Sequence, residues 1–283
     1  MSRYTDEELK YFDNAYKIAI IAVVDDEGDM HMFNASTLMN KGDDEMMFGE
    51  FIRGKSKKYI YQNPKTGFLI MSSDKHFWTG NMTFTHSVTE GEDYVYMNKY
   101  PLFRFNTYFG VCEVHYADLN SITPMAALNM PGVISNAIRV MAMKPFFAGD
   151  RSKKVMRPWT QKFMNGLITL EYIAYMGEDG FPKIVPIIQA QSASSSRIFF
   201  TKAPYSEMLS DLKDGARCAI YGFSLDMEAT LLKGFYHDAP MNTGYVEIDK
   251  IYNTAPPITG YVYPEKKAEA VDFHDEPLAP NWI

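Results

Sequence analysis

IAIIAVVDDEGDMHMFNAS, Ile18 to Ser36, sets an apolar, β-branched run against a second strand-like run across an acidic turn that ends in Gly28. This is the pattern of a β-hairpin, in which a Gly-bearing turn reverses a chain of half-buried strands. The pattern returns in LITLEYIAYMGEDGFPKIVPIIQAQ, Leu167 to Gln191, around Gly180. Downstream of each, DDEMMFGE (Asp43–Glu50) and SSRIFFTK (Ser195–Lys202) run from a polar turn into a short apolar strand. Gly28 and Gly180, and likewise Phe48 and Phe200, lie 152 positions apart by residue number. Ordered elements recurring at a fixed interval point to an internal duplication.

The parallel extends further. KSKKYIYQNPKTGFLIMSSD (Lys55–Asp74) aligns with YSEMLSDLKDGARCAIYGFS (Tyr205–Ser224). Each reads as a short amphipathic helix, a breaker (Asn63-Pro64 or Asp214-Gly215) and a strand. Pairing Ser56 with Ser206 and Ile70 with Ile220 shortens the interval to 150 and implies a two-residue deletion. Between the repeats, Pro124 to Trp159 is rich in Ala and Met at helical spacing, with Pro131 and Pro145 as breaks. It reads as a helical connector packed on its neighbours, since a free linker would be more polar. The expected organisation is an N-terminal domain over residues 1–124, a connector over 125–160 and a C-terminal domain over 161–283. The tail carries Pro256, Pro257, Pro264 and Pro277 ahead of a final PNWI, and is expected to be an extended arm docked through Trp282.

Composition narrows the function classes. A formal net charge of -7 over 283 residues argues against general nucleic-acid binding. Cys112 and Cys218 form no metal-like spacing and read as two buried thiols in a reducing cytoplasm. The N-terminal segment MSRYTDEELKYFDNAYK has no apolar core of a signal peptide, and no apolar run reaches the roughly 20 residues that span a bilayer. A cytoplasmic protein with no membrane partner is the expectation. The six histidines make no metal motif, and no nucleophile elbow, Walker or Rossmann glycine pattern occurs. In this acidic background FIRGKSKKYIYQNPK, Phe51 to Lys65, stands out. Cations gathered at a helix start are disfavoured by the helix dipole, and a bound anion resolves the conflict.

Hairpin, crossing strand, helix opening at Ser-Lys-Lys, Asn-Pro breaker, strand, then a strand with Trp78: this order resembles the FMN-binding split β-barrel family. Pyridoxamine 5'-phosphate oxidase and related flavin reductases belong to it. GKSKKYIYQNPKTGFLIM carries the resemblance in the first repeat, across Ile18 to about Pro124, and GFPKIVPI is the best local match in the second, across Leu167 to about Thr254. The implied fold class is mainly β with short helices: two tandem split β-barrels forming an internal pseudo-dimer, with a helical connector. The implied cofactor is FMN, lying in a cleft between barrels. Its phosphate would be held by Ser56, Lys57 and Lys58, with Arg53 and Lys55 as second choices. Its ring would lie along a strand over Met32–Asn40, against Asn34, Ala35, Ser36 and Thr37, with Trp78 and Thr79 nearby.

The second repeat has Tyr205, Ser206, Glu207 and Met208 at the positions taken as matching Lys55–Lys58. A glutamate there repels a phosphate, so one flavin per chain is expected, with Lys202 a partial substitute. The leading function is an FMN-dependent oxidoreductase exchanging hydride at flavin N5 with a small-molecule substrate, with NAD(P)H as a candidate electron donor. The acidic tail AVDFHDEPLAPNWI lacks the arginine-rich segment of a pyridoxamine phosphate oxidase in the strict sense. A non-catalytic flavin-binding or electron-transfer protein, and a deazaflavin- or haem-handling member of the same fold, remain alternatives. A homodimer is left open.

Overall fold

The computed structural model describes residues 5, 8–9, 16–51, 54–100, 110–226, 228–254 and 260–266. Arg53, and the arm residues Pro256, Pro257, Pro277 and Trp282, lie outside the described residues. Two compact units divide the chain: one built on Phe33–Ala127 with the strand that precedes Asp25, the other on Asp25–Met32 together with Leu128–Glu269.

The first repeat supplies β1 (Lys17–Val24), β2 (Met30–Asn34), β3 (Met39–Asn40), β4 (Glu45–Glu50), helix α1 (Lys55–Gln62), β5 (Lys65–Ser72), β6 (His76–Val88), helix α2 (Glu92–Lys99), β7 (Glu113–Ile122) and β8 (Ala126–Ala127). Helices α3 (Met130–Met143) and α4 (Pro158–Met164) follow. The second repeat gives β9 (Leu170–Met176), β10 (Pro182–Pro186), β11 (Gln191–Ser194), β12 (Arg197–Thr201), β13 (Arg217–Phe223), β14 (Ala229–Ala239), β15 (Thr243–Asn253) and β16 (Gly260–Tyr263).

The first sheet runs β2-β1-β5-β6-β7-β4-β3 and the second runs β10-β9-β13-β14-β15-β12-β11, with β8 on β6 and β16 on β15. Adding eight to each label of the first path gives the second. The fold class is the expected one in being mainly antiparallel β with short helices, in two tandem domains of one eight-stranded sheet each. The first barrel buries Ile21, Val23, Phe48, Phe68, Ile70 and Trp78 in one core, on which α1 packs Tyr59 and Ile60.

The two ends of each path are neighbours in the chain. A tight turn takes the backbone from β2 at one rim to β3 at the other, so MFNASTLMN is not the single strand expected. Ala35 N–H donates to Ala19 C=O at 2.7 Å, and Leu38 N–H to Ala35 C=O at 2.8 Å. In the second repeat Ile187 N–H donates to Glu171 C=O at 2.8 Å, and Ala190 N–H to Ile187 C=O at 2.7 Å. All three positions differ by 152 from their first-repeat counterparts. Thr37 fixes the first turn, its hydroxyl donating to Gly49 C=O (2.8 Å) and accepting from Gly49 N–H (3.0 Å). Gln189, 152 residues on, fixes the second by donating to Thr201 C=O at 2.6 Å.

Strand register corrects the alignment made from sequence. Ala19 faces Ile70 across β1 and β5, and Glu171 faces Gly222 across β9 and β13. Ile70 then faces Trp78, and Gly222 faces Thr230. The interval is still 152, so Ile70 corresponds to Gly222, not Ile220, and no two-residue deletion occurs. One β-bulge agrees too, at Asn81/Met82 and at Lys233/Gly234, while a second at Phe84/His86 belongs to the first sheet alone. The length difference falls later: Phe48 faces His115 whereas Phe200 faces Gly244, an interval of 129. The first repeat spends the extra residues between β6 and β7, where α2 lies.

Two helix expectations also change. The second repeat has no α-helix after Tyr205, only a 3-10 turn (Ala203–Tyr205) and further turns. Short-range bonds such as Leu212 N–H to Leu209 C=O hold it, and Ser206 spends its hydroxyl on Lys202 C=O, a local competitor of helix. In the connector, Pro131 starts a helix instead of breaking one. It sits in the first turn of α3, where its missing N–H is no loss, and Asn129 caps Gly132 N–H at 3.0 Å.

Within the second unit, the acidic turn residues Asp25, Glu27 and Asp29 are tied to strand cations. Lys233, fully buried, pairs with Asp25, and Arg217 with Asp29. Lys250 reaches Glu27 at 2.5 Å and Asp29 at 2.6 Å.

Candidate functional site

Helix α1 opens on Lys55 with Gly54 as its cap residue. No side chain caps it and no acid occupies its first turn, so its positive dipole end faces no carboxylate of its own. Lys55 and Ser56 are half-buried there and Lys58 is exposed. At the far end Asn63 N–H closes on Tyr59 C=O at 2.9 Å, and Pro64 prevents continuation.

Lys57 points the other way. Its side chain is 2% exposed and pairs with Glu113, with Glu50 Oε2 at 3.8 Å. Its ammonium also lies 5.4 Å from the Tyr61 ring centroid. Helical spacing places it on the stripe with Ile60 that faces the barrel. The phosphate role expected of Lys57 is therefore not matched by its placement, because its charge is already used inside the domain.

The strands explain why a cation is needed there. Register puts Glu50 of β4 directly opposite Glu113 of β7, and His115 two residues along β7 on the same face. Like charges facing each other across strands repel, and Lys57 relieves that repulsion. Glu113 also accepts from Ser87 and, at 3.3 Å, from Tyr61. Burial pushes the Glu113 carboxyl up, but the bonds from Lys57 and Ser87 and the charges of His115 and Lys57 more than offset it, leaving it below its usual range. His115 places Nε2 3.3 Å from Glu50 Oε2 and stacks on Phe48 at 4.8 Å.

Elsewhere the expected residues are brought close along the chain but put to varied use. Ala35 spends its N–H, and Thr37 its hydroxyl, on the turn between β2 and β3. Asn34 and Ser36 are half-buried, and Asn34 Oδ1 has no hydrogen-bond partner among the described residues. Trp78 is a core residue, 1% exposed. Thr79 N–H donates to Thr123 Oγ1 at 3.1 Å.

The second unit again serves as a control. At the positions of Glu50, Lys57, Glu113 and His115 it has Lys202, Leu209, Asn242 and Gly244. The ionic cluster belongs to one copy only, and of its members sequence reasoning singles out Lys57 alone. Among the described residues, no helix is long and apolar enough to cross a membrane.

No family model matches the chain, and no curated protein matches it. Several solved structures are similar in part. HupZ from Group A Streptococcus is 18% identical, over 42% of this chain and 92% of that one, with a TM-score of 0.35. An FMN-binding protein from Syntrophomonas wolfei is 18% identical, over 44% of this chain and 90% of that one, also at 0.35. An F420 reductase is 11% identical, over 40% of this chain and 94% of that one, at 0.33.

Proposed function

We propose that the first unit binds one flavin of the FMN class, and that the protein uses it to oxidise or reduce a small molecule. One observation carries this reading: α1 opens on a cationic first turn with no side-chain cap, and the second unit, with the same strand order, has neither the helix nor the cations there. A phosphate dianion suits helix N-terminal N–H groups flanked by Lys55, Ser56 and Lys58. A Cβ built on Gly54 meets no described residue beyond its chain neighbours within 4 Å. The buried Asn34 Oδ1, without a partner among the described residues, suits a ring N–H donor. Thr37 holds the turn that carries Asn34 and Ser36, and Lys57 acts from within, keeping β4 and β7 together under α1. When bound, FMN supplies hydride transfer at N5, and the chain's part is binding, orientation and electrostatics.

The test is purification of the full chain with its colour measured. Absorption near roughly 370 and 450 nm, the bands of an oxidised flavin cofactor, at one flavin per chain is the expected result. Reversing both charges (Lys55→Glu with Lys58→Glu) should lower flavin retention at least about tenfold, the loss of one charge-assisted contact or more. Bleaching by NAD(P)H identifies a reductase, whereas a coloured protein that no electron donor bleaches is a carrier. Protein that is colourless and takes up no added FMN refutes the proposal.

A further inference from the structure

The cluster beneath α1 has a geometry that the flavin reading does not use. Glu50, Glu113 and His115 each offer a ligand atom, and these atoms lie within 4.8 Å of one another. Two ligands about 2.1 Å from a tetrahedral ion stand about 3.4 Å apart. His115 Nε2 and Glu50 Oε2 are already at 3.3 Å. His115 is 1% exposed. Nothing in the fold requires this arrangement, because the second unit completes the same strands with Lys202, Asn242 and Gly244 and fills the helix position with the buried Leu209.

We propose that Glu50, Glu113 and His115 form a seat for a divalent transition metal of the zinc class, in which the Lys57 ammonium is the competing cation. Two carboxylates and an imidazole are a ligand set that zinc accepts, with a fourth position left for water. Lys57 satisfies the carboxylates in the absence of metal. Its flexible stem lets the ammonium withdraw when a dication takes its place. Glu50 is the least buried of the three, at 11% side-chain exposure, and marks the side of entry. Ser87 and Tyr61, which both hold Glu113, orient that carboxylate from the rim.

Zinc titration of the full chain, followed by calorimetry and by thermal unfolding, tests this. Lys57→Leu is the informative variant, since leucine already fills the equivalent position of the second unit. Wild type should bind one Zn2+ per chain, and Lys57→Leu should bind it at least tenfold more tightly, with a melting temperature that rises on adding zinc. His115→Ala or Glu50→Gln, in either background, should remove the binding. Equal zinc affinity in wild type and Lys57→Leu overturns the proposal, as does binding that survives loss of His115 and Glu50. Should Lys57→Leu not fold alone, recovery of folded protein with zinc supports the seat. No recovery with zinc, together with no zinc binding by Lys57→Gln, overturns it.

Discussion

Glu171 should make the second unit less stable as pH rises, and Glu171→Gln should remove that dependence. The residue lies on β9 opposite Gly222, against which α4 packs Phe163 and Met164. It is 1% exposed, and its Oε1 has no hydrogen-bond partner among the described residues. Burial without compensation pushes its carboxyl well above the usual range, so the folded protein keeps the proton that the unfolded chain releases. The sign follows from this. Below the unfolded value, about 4.3, both states are protonated and the group's contribution is fully present. Above it the unfolded state binds one proton fewer, and stability falls by about 1.4 kcal/mol per pH unit until the folded carboxyl itself ionises. Glutamine keeps the shape and carries no proton to lose. Urea unfolding of wild type and Glu171→Gln at steps from about pH 4 to about pH 8 measures the difference directly. The two should coincide near pH 4 and diverge by about 1.4 kcal/mol per unit above it, with the variant the more stable. A constant offset across the range would refute the reasoning.

Two further outcomes follow from named bonds. Thr37→Val keeps the side-chain volume but orphans the N–H and C=O of Gly49, and should destabilise the first unit by about 1–3 kcal/mol in urea unfolding, the penalty of a buried unsatisfied group. A loss below about 0.5 kcal/mol, a surface-like effect, would count against the turn's role. Hydrogen bonds from Lys250 and Lys266 hold the Glu27 carboxyl at about 2. Its stabilising contribution is thus present above about 4.3 and lost as pH falls toward that lower value. In Lys250→Met the Glu27 titration followed by NMR should move up, and an unmoved midpoint would contradict the pairing.

Much of the fold is legible in the sequence because its first elements are local. Each hairpin announces itself through an apolar run, an acidic turn and a glycine in the left-handed region, with φ of 79° at Gly28 and 75° at Gly180. Register is not local. A serine at both 56 and 206 suggests an interval of 150, whereas the strand pairings keep 152 through β5 and β6. With the right interval, Lys57 and Ile60 fall on Leu209 and Leu212, an apolar pair at helical spacing that marks the buried stripe. That signal is in the sequence and identifies Lys57 as inward-facing. Glu50, Glu113 and His115 have no such signal, because they meet only through the pairing of β4 with β7 and the packing of α1 upon it.

The turn that links β2 to β3 has a consequence for how the chain behaves among its neighbours. A strand at the rim of a sheet offers a row of unpaired amides on which another chain can template itself. Here both rims of a sheet are built from one continuous stretch, and the rim strands are short: five and two residues in the first sheet, five and four in the second. The bend between them, pinned by Thr37 or Gln189, stops either rim from extending into a long straight edge. A substitution that straightens this bend would do more than weaken a domain. It would expose an aggregation-prone edge, and solubility would fail before the melting curve gave warning.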